Sequence, residues 1–108
     1  MARVLVHMPA EARRGESFEI RALIGHPMET GYRPGADGRV LPRDIIRRFT
    51  CRYNGDTVIE AELHPAISAN PYLAFHVVAT ESGTLEFAWE GDNGFSRTEH
   101  KPLRVNDA

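Results

Sequence analysis

The sequence predicts an all-β protein, an immunoglobulin-like antiparallel β-sandwich of about seven strands. Three observations carry this reading. Short runs of alternating apolar and polar residues recur along the chain, Gly, Asn, Asp and Pro interrupt them at short intervals, and nothing between them is long enough for more than a helical turn. At 108 residues the chain is sized for one domain, residues 1–108, with one modest core.

The elements follow in order. Arg3–Met8 reads as a first strand closed by Pro9. Ala10–Arg14 is too short for a helix, and Arg14-Gly15-Glu16 supplies a turn. Ser17–Gly25 alternates cleanly, with Phe18, Ile20, Ala22 and Ile24 on one face. After a long loop come Ile45–Tyr53 and Thr57–Leu63, joined at Asn54-Gly55-Asp56, a hairpin signal. A two-residue loop would pair Tyr53 with Asp56, Cys51 with Val58 and Phe49 with Glu60, which puts Phe49, Cys51 and Tyr53 on the opposite face from Ile59, Ala61 and Leu63. A three-residue loop pairs Tyr53 with Thr57, Cys51 with Ile59 and Phe49 with Ala61, so the apolar faces agree; an odd loop or a bulge is therefore expected. Tyr72–Thr80 aligns Leu73, Phe75, Val77 and Ala79. Thr84–Glu90 aligns Leu85, Phe87 and Trp89, and Phe95–Val105 closes the set after a Gly91–Gly94 turn. Pro42–Arg48 can manage a turn at most, and no Cys…Trp…Cys pattern links the chain to antibody domains.

Composition narrows the function. Apolar residues make up 42% and charged residues 26%, and the net charge of −2 gives no basic footprint for nucleic acid. No run reaches the roughly 18 apolar residues of a membrane span. The apolar run Val4–Val6 is too short for a signal-peptide core, so the reading predicts no export signal of its own. Twelve Arg stand against one Lys, and Arg favours planar, hydrogen-bonded interfaces.

Catalytic and metal chemistry find little support. His7, His26, His64, His76 and His100 are scattered, and Glu29, three residues after His26, lies in a loop where that spacing fixes no geometry; no metal site and no cofactor are expected. Cys51, the only cysteine, lies mid-strand on the face of Phe49 and Tyr53, as a small core residue does. A reactive thiolate would need an accessible, electropositive setting. If its strand lay at a sheet edge, Cys51 would be the candidate for an inter-subunit disulfide. Neither a strained Ser-elbow nor a Gly-rich phosphate loop is present. No catalytic residue is assigned.

The long segment Gly25–Asp44 stands out, because structureless loops beyond ~12–15 residues are uncommon and often functional. Pro27, Pro34 and Pro42 limit its freedom, Met28 and Tyr32 are adaptable contact residues, and Arg33 and Arg39 suit acidic partners. His64–Tyr72 is a second connector with two prolines, in which Asn70 is placed to bond backbone.

HPMETGYRPGADGRVLPRDII, YNGDTVIEAELHPAISANPYLAF and SGTLEFAWEGDNG, in that order over Gly25–Gly94, resemble the SoxZ family, the Z subunit of the SoxYZ carrier complex of microbial sulfur oxidation. The family's last turn commonly has an acid directly after the Trp and another before the Gly; here Glu90, Gly91, Asp92 and Asn93 fill it. The resemblance implies an immunoglobulin-like, non-catalytic subunit that pairs with SoxY in a heterodimer. SoxY bears the substrate-carrying cysteine on a Gly-Gly-Cys-Gly-Gly arm. This chain ends HKPLRVNDA, without such an arm, so the carrier chemistry does not transfer. It further implies a periplasmic location reached by co-export with SoxY and transient docking of other Sox enzymes; an isolated chain would expose its partner surface, which leaves a homodimer open to it. The expected partner interface is His26, Pro27, Met28, Glu29, Tyr32 and Arg33 with Ser68, Asn70 and Pro71. The competing classes are an immunoglobulin-like domain for an unrelated partner and a catalytic subunit with a thiol or metal centre.

Overall fold

The computed structural model describes residues 3–32, 34–64, 67 and 69–107. Its strands are β1 (Val4–His7), β2 (Glu11–Arg13), β3 (Ser17–Ile24), β4 (Ile46–Tyr53), β5 (Asp56–Glu62), β6 (Tyr72–Val78), β7 (Gly83–Gly91) and β8 (Ser96–Asn106), with a 3-10 turn at Asp92–Gly94. They form two sheets, β1-β3-β6 and β2-β8-β7-β4-β5. The all-β sandwich reading holds. The core between the sheets includes Ile20 and Ile24 of β3, Phe49 and Cys51 of β4, and Leu85, Phe87 and Trp89 of β7, all essentially inaccessible. Phe49 sits at its centre, its ring 5.1 Å from Trp89 and 5.9 Å from Phe75.

One expectation needs correction. Ala10–Arg14 contains a strand, β2, and that strand runs parallel to β8, pairing Glu11 with Arg104 and Arg13 with Asn106. Pro9 cannot donate to a ladder, so β1 ends there; the chain then crosses to the other sheet and aligns with its last strand. A three-residue strand whose partner lies at the far end of the chain leaves no local period to read.

The β4–β5 hairpin combines both of the alternatives. Its loop is two residues, Asn54 (φ 49°) and Gly55 (φ 87°), pairing Tyr53 with Asp56. This is the geometry in which both central residues need positive φ. The register then shifts after Arg52↔Thr57, leaving Val58 as a bulge, and resumes at Cys51↔Ile59 and Phe49↔Ala61. The bulge does what an odd loop would have done: it returns the apolar residues of both strands to one face.

Candidate functional site

The segment Gly25–Asp44 is not structureless. Glu29 and Asp44 exchange both backbone hydrogen bonds at 2.8 Å, Pro34 bridges Val40, and the Gly35 N–H donates to the Arg39 carbonyl at 2.6 Å. The chain therefore goes out and back as a narrow antiparallel ribbon with its tip at Gly35–Gly38. Its outer part is open to solvent: Tyr32 is 81% and Val40 59% exposed.

At its base, the ribbon is locked to the sandwich by the two motifs singled out in the sequence. The His26 N–H donates to Asn70 Oδ1 at 2.9 Å, and the Asn70 N–H donates back to the His26 carbonyl at 2.7 Å. Asn70 adopts φ 54°, which an Asn tolerates well. The His26 ring is buried, edge-on to Phe95 with centroids 5.0 Å apart. Its Nδ1 accepts the Met28 N–H at 2.9 Å, which leaves the ring hydrogen on Nε2, 3.8 Å from Asp44 Oδ1. Met28 is buried with φ 51°, a left-handed conformation that costs a non-Gly residue about 1–2 kcal/mol. Its surroundings hold it there, since Met28 Sδ accepts the Ile46 N–H at 3.2 Å.

Of the expected partner interface, the structure brings His26, Met28, Asn70 and Pro71 together. It turns His26, Met28 and Pro71 inward, while Pro27 and Tyr32 face solvent and Glu29 is half-buried. The motif side chains of His26 and Met28 are therefore revised from contacts offered to a partner to parts of an internal latch. Arg33 and Ser68 lie outside the described residues.

Asp92 was not anticipated. Arg43 grips it bidentately (Nε–Oδ2 2.8 Å, Nη2–Oδ1 3.0 Å), and Arg47 Nε lies 3.3 Å from Oδ1. The Ile45 N–H donates to Oδ2 at 3.2 Å, and the Asp92 N–H donates to the Ile45 carbonyl at 2.9 Å. Asp92 thus ties the returning arm of the ribbon to the β7–β8 turn. The only sequence signal was an acid in that turn together with paired arginines in PRDIIRR. The Arg43 hydrogen bonds hold the Asp92 carboxyl below its ordinary pKa, aided by the Ile45 N–H and Arg47. A depressed carboxyl contributes stability that is present above the unfolded-state pKa and is lost as pH falls through the folded one. Asp92→Asn is therefore expected to lower the urea midpoint at pH 7, and the gap from the unaltered chain should close as pH falls below about 4. A gap that persists at pH 2 would assign the loss to packing instead.

Cys51 lies in β4, which pairs with both β5 and β7, so its strand is interior. The side chain is inaccessible, and burial pushes its thiol up to about 12. This corrects the inter-subunit disulfide: in this fold Cys51 is neither at an edge nor reachable. Among the described residues, no three His, Cys, Asp or Glu side chains converge as metal ligands.

Sheet order, interior cysteine and latched ribbon together define an immunoglobulin-like β-sandwich bearing a projecting ribbon. The family model of the sulphur oxidation protein SoxZ matches residues 6–102, and the chain belongs to that family. It is accordingly a carrier-complex subunit of the Sox sulfur-oxidation system. Similar solved structures include the superoxide reductase (neelaredoxin) of Ignicoccus hospitalis, with TM-score 0.73 and 18% identity over 95% of this chain and 80% of that one. The putative superoxide reductase of Thermotoga maritima gives 0.71 and 17% over 95% and 85%. The sulfur carrier protein SoxY of Chlorobium limicola f. thiosulfatophilum gives 0.67 and 10% over 94% and 74%. At these identities the likeness is one of fold. No curated protein sequence matches the chain.

Proposed function

We propose that this chain is the non-catalytic subunit of a periplasmic SoxYZ complex in thiosulfate oxidation, exported together with SoxY and pairing with it as a heterodimer. The family match over residues 6–102 is the observation that carries this reading. The sealed thiol of Cys51 supports it, because a buried thiol with a raised pKa is a poor nucleophile. In this reading SoxY holds the substrate, and this chain shapes the complex that presents it to the processing enzymes. The exposed ribbon, with Tyr32 as its aromatic anchor, serves as docking surface for those enzymes.

Co-expression with SoxY followed by mass measurement under non-reducing conditions tests the pairing. A one-to-one, non-covalent complex is expected. In a reconstituted Sox system, Cys51→Ser should keep full thiosulfate turnover, whereas Tyr32→Ala should lower turnover with the heterodimer intact. Loss of turnover on Cys51→Ser would reinstate the thiol as a catalytic group. Fractionation of cells with and without SoxY reads the export route, and a chain that reaches the periplasm alone would exclude co-export.

A further inference from the structure

The two sheets leave four strand edges, β1 and β6 in the smaller and β2 and β5 in the larger. Natural sandwiches keep such edges short or charged, because an open edge invites another strand. β1 spans only Val4–His7 and β2 only Glu11–Arg13. β5 carries Asp56, Glu60 and Glu62, all exposed. β6 has no such protection. Tyr72–Val78 is seven residues without an Asp, Glu, Lys, Arg or Pro, and among the described residues it pairs only with β3.

The ladder shows which backbone groups are free. The Ala79 N–H donates to the Glu16 carbonyl, and at the other end the Pro71 carbonyl accepts from Ile24. Alternation along an antiparallel pair then turns the odd-numbered residues between them toward β3. The N–H and C=O groups of Tyr72, Ala74, His76 and Val78 are left pointing out from the edge. The sandwich is also open along this side. Leu73 and Phe75 of β6 and Ile59 and Ala61 of β5 face inward but stay only half-buried. At one end of the opening lies a groove of about 320 Å³ between Tyr53, Val58, His76 and Val78, rimmed by Asp56 and Glu81.

We propose that the β6 edge takes a strand from a different protein, extending β1-β3-β6 by one strand, and that the partner brings cations to face the carboxylates of β5. The inference rests on the reading above that the partner is SoxY, whose structure shares this fold and so offers strand edges of its own. Charge selects against the other occupant, a second copy of this chain. Pairing β6 with β6 would bring two β5 edges side by side, each with Asp56, Glu60 and Glu62, and none of these carboxylates is ion-paired among the described residues. Like charges so placed repel, so the backbone invites a strand while the neighbouring edge rejects the chain's own.

The test is titration calorimetry against purified SoxY, with sedimentation to read self-association. Ala74→Pro removes one outward N–H and leaves the β3 ladder untouched, a position where an edge strand accepts proline. Binding roughly tenfold weaker or worse is expected, with the thermal midpoint nearly unchanged. Should that variant unfold, Val78→Lys places a guarding charge on the same edge and should weaken binding likewise. Reversing β5 with Glu60→Lys and Glu62→Lys should weaken SoxY binding and allow the isolated chain to self-associate. Unaltered affinity in the β6 variants overturns the edge assignment. A β5 reversal that changes neither affinity nor self-association overturns the charge selection. Failure of the unaltered chain to bind SoxY at all overturns the choice of partner.

Discussion

His26→Ala is expected to destabilise the chain by roughly 3–5 kcal/mol, read as a fall of about 15 °C or more in thermal midpoint. Two losses add. Truncation leaves the Met28 N–H, now bonded to His26 Nδ1 at 2.9 Å, buried without an acceptor. It also opens a void where the ring packs edge-on to Phe95. Met28 sits at φ 51° only because its neighbours over-determine it, so the ribbon's first turn should relax along with the latch. His26→Asn separates the two terms. An Asn Oδ1 can accept the N–H two residues on, restoring the turn without the ring. About half of the loss should return. Equal losses in both variants would assign the whole effect to packing against Phe95.

Gly91→Ala is expected to cost about 3 kcal/mol, an unusually large penalty for adding one methyl group. A Cβ on Gly91 would lie 2.5 Å from the Ile45 carbonyl oxygen and 2.9 Å from Ile46 Cα. Both obstacles are backbone, so no rotamer change relieves them. The β7 end must move from the start of β4, and with it Asp92 moves from Arg43 and the Ile45 N–H. Protection of the Ile45 amide against hydrogen exchange should fall accordingly. Gly25→Ala is the contrast. Its Cβ would meet neighbours at 3.5–3.7 Å, ordinary contact, and a change within about 1 kcal/mol is expected. Equal effects at the two glycines would remove close approach as the reason for Gly91.

Most of the core could be read in the sequence because the relevant signals are local. The alternation of Phe18, Ile20, Ala22 and Ile24 predicts the buried face of β3, and all four are buried. The conflict of faces across Asn54-Gly55 predicts an irregularity, and the bulge at Val58 resolves it. The latch was out of reach for the opposite reason. His26 and Asn70 lie 44 positions apart, and nothing near either residue says that each would complete the other's backbone bonds. The same holds for Arg43 and Asp92, 49 positions apart. Motif residues conspicuous enough to suggest a contact surface turned out to be conspicuous for what they hold inside.

Burial of the lone thiol has a practical consequence. With Cys51 sealed in β4, the surface of the described residues is chemically blank to maleimides and other thiol reagents under native conditions. A cysteine introduced at Ala36, exposed at the ribbon tip, would then be the single position that takes a label. A fluorophore there could follow the arrival and departure of docking enzymes in real time, and the native cysteine need not be removed first.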